Sequence, residues 1–268
     1  MNRLFLFKRK KKKKLNIPPP STPQSRRRRS SSYTVAPHLQ AEFDVPLSAF
    51  AAAHAEYTDF VVAGFIFSER SSVPPAAPAA AVSTAPRMLL LQRAWSDSYG
   101  GYWDFPGGSV EPSSDATLLD GVAREVREET GFHVSRIREL VRVDAWVAHM
   151  GRRKVAKYSF IVDVHEAAES SAASGEWEDE DDESESDHNS VVTQQQQQQQ
   201  HMPLNWEDQV QLAEAEHQRY VWATEEEVEA SVVNKRNGRG EEGPYLFVGI
   251  QGETALEAFR KYKSLKGD

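Results

Sequence analysis

The 268 residues include no cysteine, so neither a disulfide framework nor a thiolate metal site is available, which suits a reducing intracellular compartment. The net charge of −8 averages opposed segments: residues 1–40 hold twelve Lys or Arg and no acid, leaving −20 on the remainder, a balance that speaks against a nucleic-acid-binding domain. The longest apolar run near the N-terminus, Leu4–Phe7, is too short for a membrane span or a signal-peptide core.

Like-charged blocks cannot bury enough apolar surface to offset chain entropy, so 1–40 is expected to be a disordered basic arm. Its clusters Lys8–Lys14 and Arg26–Arg29 read first as a solvated tail, then as a nuclear-import signal, with a mitochondrial transit segment also open. Regular structure is expected from about Pro46. Leu47–His54 reads as a short helix capped by Ser48. Phe60–Phe67, rich in β-branched and aromatic residues, reads as a buried strand returning at Met88–Gln92. The Pro/Ala/Ser-rich residues 68–87 between them form an expanded hairpin loop. A short strand at Trp103–Phe105 runs into Pro106-Gly107-Gly108 and is followed by a helix over Thr117–Thr130, stopped by Gly131. Val141–Ala148 and Val155–Val164 form a hairpin turning at Gly151. Eleven acids and no base between Glu166 and Asp187, then seven glutamines at Gln194–Gln200, mark 166–202 as a disordered insertion. A strand at Arg219–Trp222 and helices near Thr224–Val232 and Glu253–Leu265 close the chain. The expected organisation is one α/β domain, 41–165 with 203–268, in which a mixed sheet lies between helices.

The informative stretch is Arg124-Glu125-Val126-Arg127-Glu128-Glu129-Thr130-Gly131-Phe132. At about 100° per residue, Glu125, Glu128 and Glu129 share a sector of about 100° beside an apolar face of Leu119, Val122, Ala123 and Val126. Like charges at this spacing repel by a few tenths of a kcal/mol. A hard divalent cation, Mg²⁺ or Mn²⁺, would relieve that repulsion. The competing reading is a solvated acidic helix in which Arg124 and Glu128 form an ordinary i,i+4 pair.

With its approach WDFPGGSVEP (Trp103–Pro112), this stretch resembles the Nudix hydrolase family. The family signature is Gly, five residues, Glu, seven residues, then Arg-Glu-apolar-X-Glu-Glu-X-Gly-apolar. Its second half is met without mismatch. Leu89–Ala94 and Glu216–Val228 resemble the family's strand before the box and its final strand and helix. The first half departs: counted from Gly108, the acid position is Ser114, and Gly108 lies sixteen residues before Arg124 where fourteen are expected. Asp115 and Glu111 both stand near enough to substitute.

The resemblance implies a Nudix-type α/β/α sandwich and metal-dependent hydrolysis of a nucleoside diphosphate linked to another group. It implies Glu128 and Glu129 as principal metal ligands, Glu125 as a further ligand or the base that deprotonates water, and Arg124 as the residue holding Glu125. The Gly108 carbonyl would complete the metal shell. Gly107, Arg93 and Glu216 are candidates for substrate contact, Glu216 also as a carboxylate from outside the box. Trp95, Tyr102 and Trp146 are candidates to stack a base, against core packing as the plainer role. The eight histidines show no ligand spacing and are read as surface residues. The alternatives are an inactive Nudix fold that binds a nucleotide or a protein, and an interaction protein working through its charged tracts.

Overall fold

The computed structural model describes residues 32–69, 85–148, 150–173, 205–237 and 243–267. Residues 70–84 of the expected hairpin loop, 1–31 of the arm and 174–202 of the insertion lie outside these residues; 166–173, expected in the disordered insertion, are helical instead. The elements run β1 (Thr34–Val35), α1 (Pro37–Phe43), α2 (Leu47–Ala53), β2 (Asp59–Ser68), β3 (Arg87–Arg93), β4 (Trp103–Asp104), β5 (Gly107–Ser109), α3 (Leu118–Thr130), β6 (Val134–Ala148), β7 (Arg153–Val164) and α4 (His165–Ala173). A short 3-10 turn (Trp206–Gln209), β8 (His217–Thr224), α5 (Glu225–Asn237) and α6 (Gln251–Ser264) follow.

The strands form one mixed sheet in the order β1-β6-β7-β2-β3-β4, with β5 added to β2 and β8 to β3. β2 lies parallel to β7, whereas β6–β7 and β3–β8 are antiparallel. The alternation of β2 explains the layering. Val62 and Ile66 join a core with Val122 and Val126 of α3 and Phe43 and Phe50 of α1 and α2. Ala63, Phe65 and Phe67 point the other way, into a core with Val228 of α5 and Ala255 and Phe259 of α6. A strand buried on both faces reads as an unbroken apolar run, as FVVAGFIF does. The result is an α/β/α sandwich around a mixed sheet.

Several boundaries differ from the sequence reading. Structure begins before Pro46: Val35 pairs with Ile137, and Leu39 and Phe43 are buried. Three spaced apolar residues after a basic tract give too short a period to stand out. Ser48 does not cap α2, whose N-cap is Pro46. β6 starts seven residues earlier than expected, because register shifts at Val134/Arg136, Ile137/Glu139 and Leu140/Arg142 break its alternation. β8 begins at His217 rather than Arg219.

α3 needs no such correction. Thr117 caps it, its hydroxyl accepting from the Asp120 amide at 3.0 Å while the Asp120 carboxylate accepts from the Thr117 amide at 2.9 Å. Gly131, at φ 77°, ends it in the left-handed conformation. Leu118, Leu119, Val122 and Val126 are fully buried, each stabilising the fold by roughly 1.5–3 kcal/mol. This anchors the acids between them.

Candidate active site

The burial of one face of α3 divides its three acids. Glu125 and Glu129 are 7% and 4% exposed. Glu128 turns outward, its side chain 56% exposed, and meets Arg124 at 3.3 Å. Glu129 accepts a hydrogen bond from the Gly107 amide at 2.8 Å, so that amide is already engaged by the helix. Gly108 lies against Glu125: a Cβ there would fall 2.7 Å from the carboxylate carbon and both its oxygens. Only glycine lets β5 approach this closely.

Arg124 ties the loop to the helix. Its Nε donates to Asp115 Oδ1 at 2.9 Å and its Nη2 to Asp115 Oδ2 at 3.0 Å. Nη1 donates to Glu125 Oε1 at 2.8 Å, and Nη2 also reaches the Ser109 carbonyl at 3.0 Å. Asp115 is buried and further accepts from the Glu111 amide at 2.7 Å. Ser114 is exposed, with its hydroxyl 3.4 Å from Glu111. Of the two acids the sequence left open, Asp115 therefore occupies the place beside Arg124. Burial opposes the arginine's charge, yet Asp115 and Glu125 together hold its pKa above the ordinary value.

Desolvation lifts the Glu125 carboxyl to about 7, against the pull of Arg124 and with a further push from the charges of Glu128 and Glu216. Glu129 is raised well above the carboxylate range by burial, partly countered by the Gly107 amide and reinforced by Glu125, Asp104 and Glu216. Glu216 itself is exposed at the start of β8. Two buried carboxylates that resist ionisation suit a cation in donor chemistry, since a divalent charge would favour the form that burial penalises. Among the described residues, no group of three or more His, Asp or Glu side chains is already arranged around a common metal position.

Beside this cluster opens a cavity of about 250 Å³, whose lining includes Arg93, Asp104, Gly107, Trp146, Lys157 and Gln251. Arg93 does not stand free. It pairs with Asp97, reaches Asp104 at 3.4 Å and donates to the Ser98 carbonyl at 2.7 Å. Burial opposes Asp104 ionisation, but Lys157 and Arg93 outweigh it and hold this carboxyl below the usual range. Of the three aromatic candidates only Trp146 lines the cavity; Trp95 is 75% exposed over Gly101. His217 corrects the reading of the histidines as surface residues. It is 3% exposed, and desolvation lowers its pKa to about 4. As the first residue of β8, paired with Arg93, it is drawn into the sheet.

Asp104, Lys157 and Gln251 went unremarked in the sequence. Asp104 lies inside the noted WDFPGG run, whereas Lys157 and Gln251 have no local signal.

The NUDIX domain family profile matches residues 74–196, a range that holds the whole Gly107–Gly131 stretch. The chain carries a Nudix domain. β8, α5 and α6 lie beyond the matched range yet pair with or pack on the same sheet. A search of curated proteins by sequence returns no match. Among solved structures, the Nudix domain is similar to the MutT protein from Methanosarcina mazei Go1 at 20% identity and TM-score 0.37, covering 76% of this chain and 94% of that one. It is similar to the NUDIX domain of Shewanella oneidensis NrtR complexed with ADP ribose at 13% identity and TM-score 0.41, covering 76% and 87%. It is also similar to a C. elegans Ap4A hydrolase at 15% identity and TM-score 0.35, covering 78% and 98%. No helix among the described residues is long and apolar enough to cross a membrane.

Proposed function

We propose that this Nudix domain hydrolyses the diphosphate linkage of a nucleoside diphosphate joined to a second group, using Mg²⁺ or Mn²⁺. The observation that carries the reading is the pair Glu125 and Glu129, buried together on α3 and pressed against the two glycines of β5. Burial resists ionisation of both acids even with Arg124 beside Glu125, and two such carboxylates on one helix face beside a cavity are the pattern of a functional site.

In this reading Glu125 and Glu129 hold the metal from the helix, Glu128 contributes from its exposed position, and the Gly108 carbonyl is the backbone candidate. The metal, when bound, neutralises phosphate charge and eases ionisation of the attacking water. Arg124 fixes Glu125 through Oε1, which leaves Oε2 to accept the proton of that water. Asp115 keeps Arg124 in place for this task. Arg93, held by Asp97 and Asp104, forms the cationic rim toward the phosphates. Because Asp115 supplies an acid at the loop, the Ser114 departure gives no support to an inactive fold.

The test is incubation of the full chain with Mg²⁺ and a panel of nucleoside-diphosphate-linked compounds, resolving products by chromatography beside a Glu129→Gln variant. Metal-dependent cleavage at the diphosphate, lost in the variant, is the expected result. Cleavage that persists undiminished in Glu129→Gln would overturn the assignment. A folded protein that cleaves nothing on the panel would overturn the enzyme reading.

A further inference from the structure

The cavity beside Gly107 has a largely apolar wall, with Trp146 and Ile250 among its surfaces, and one polar stripe. The stripe is built from four elements, with Asp104 on β4, Asp144 on β6, Lys157 on β7 and Gln251 on α6. Lys157 of β7 donates to Asp104 at 3.4 Å and to Gln251 Oε1 at 3.2 Å, and its ammonium stands 5.8 Å from the Phe105 ring centre. Asp144 of β6 lies directly across the ladder from Lys157 and also lines the cavity.

Each group's chemistry fixes what it can offer. An ammonium only donates, so a glutamine facing it must present its amide oxygen, and the NH₂ of Gln251 is turned away from Lys157. Lys157 has three N–H groups, of which Asp104 and Gln251 use two. Two donors, the remaining Lys157 N–H and the Gln251 NH₂, therefore belong to neighbouring residues of the cavity lining. Asp144 adds an acceptor next to them; its Oδ1 takes Arg142 at 2.8 Å and its Oδ2 lies 3.5 Å from the Thr254 hydroxyl.

Building on the hydrolase reading, we propose that this stripe selects the base of the substrate. The edge it fits is one with two adjacent acceptors flanked by an N–H donor. Guanine presents N7 and O6 beside N1–H, and cytosine presents O2 and N3 beside its amino group. Adenine sets its amino group between N7 and N1, and uracil sets N3–H between two carbonyls, so each would place a donor against a donor. A buried donor left facing a donor loses its hydrogen bond without regaining water. The flat apolar wall around Trp146 suits the ring itself.

The experiment has two arms on the full chain. Calorimetric titration with GMP, CMP, AMP and UMP measures the cavity without hydrolysis, and turnover of GDP-, CDP-, ADP- and UDP-linked sugars with Mg²⁺ measures selection during reaction. Tighter binding of GMP or CMP than of AMP and UMP, by on the order of tenfold, is expected, and whichever of the two wins names the base. Gln251→Glu replaces one donor by an acceptor and keeps the Lys157 contact. It should reduce that preference about tenfold while the melting temperature holds. Equal or tighter binding of AMP or UMP, or a preference unmoved in Gln251→Glu, would sink the proposal. Selective binding without any turnover would uphold the cavity and overturn the hydrolase reading instead.

Discussion

Arg124 and Asp115 meet through two parallel hydrogen bonds, Nε to Oδ1 at 2.9 Å and Nη2 to Oδ2 at 3.0 Å, which join the glycine-rich loop to the acidic helix. A forked pair of this kind fixes orientation as well as distance. Through it Glu125 is held in place by a residue that would have no contact with the substrate.

Replacing Asp115 by Asn removes the charge and sets an amide NH₂ against the guanidinium. The expected loss is about 2–3 kcal/mol of stability, since the part-buried guanidinium keeps Glu125 but loses its forked carboxylate partner, and on the order of tenfold in turnover. Ser114→Ala, on the exposed neighbour, should stay within about 0.5 kcal/mol. Urea denaturation of both variants alongside turnover checks the contrast. Equal effects from the two would mean that Asp115 does not hold the loop.

In the metal-free protein two raised acids should outweigh one lowered histidine, so that stability falls from about pH 4.5 upward. The folded pKa of Glu125 is raised from 4.5 to about 7, so its contribution is complete below 4.5 and is lost as pH rises through about 7. Glu129 works in the same direction. The folded pKa of His217 is lowered from 6.5 to about 4, so its contribution is complete above 6.5 and is lost as pH falls through about 4. Mg²⁺ should flatten the alkaline decline and leave the acid one alone. Urea midpoints from pH 4 to 9, with and without Mg²⁺, measure both limbs.

Glu129→Gln should leave the metal-free protein at pH 8 at least as stable as the parent, because a neutral amide can still accept from the Gly107 amide. The rise in melting temperature on adding Mg²⁺ should disappear. Glu128→Gln, at an exposed position, should change metal-free stability by less than about 0.5 kcal/mol. Thermal melts with and without Mg²⁺ decide this, and a Glu129→Gln protein that still responds fully to Mg²⁺ would contradict the ligand assignment.

Gly108→Ala brings a methyl group to 2.7 Å from the Glu125 carboxylate. Either β5 withdraws or Glu125 leaves Arg124. Activity should fall sharply, with a stability loss of about 1–3 kcal/mol. Mg²⁺-dependent turnover and denaturant midpoints test it together, and an alanine variant with parental kinetics would show that the contact is dispensable.

α3 was legible in the chain because its signals are local: a capping residue, a 3.6-residue apolar period and a terminal glycine. β2 was legible because both its faces are buried, which writes a continuous apolar run. β1, α1 and the first half of β6 were not, being short or broken by register shifts. Glu125, Glu129 and Arg124 could be named in advance since one helix carries them. Lys157 and Gln251 could not, since they are 94 residues apart and meet only when α6 closes over the sheet.

The sequence by itself determined the acidic helix and its place after the glycine turn, because chain geometry alone converts residue spacing into a shared face; its Nudix character came from resemblance to the family signature. Only the tertiary structure decided that Asp115 rather than Glu111 takes Arg124, that Glu128 faces water while Glu125 and Glu129 do not, and that His217 is buried. Those outcomes depend on which elements pack against which. Burial and long-range ion pairing belong to the packed surfaces, and no window of the chain contains both sides of such a contact.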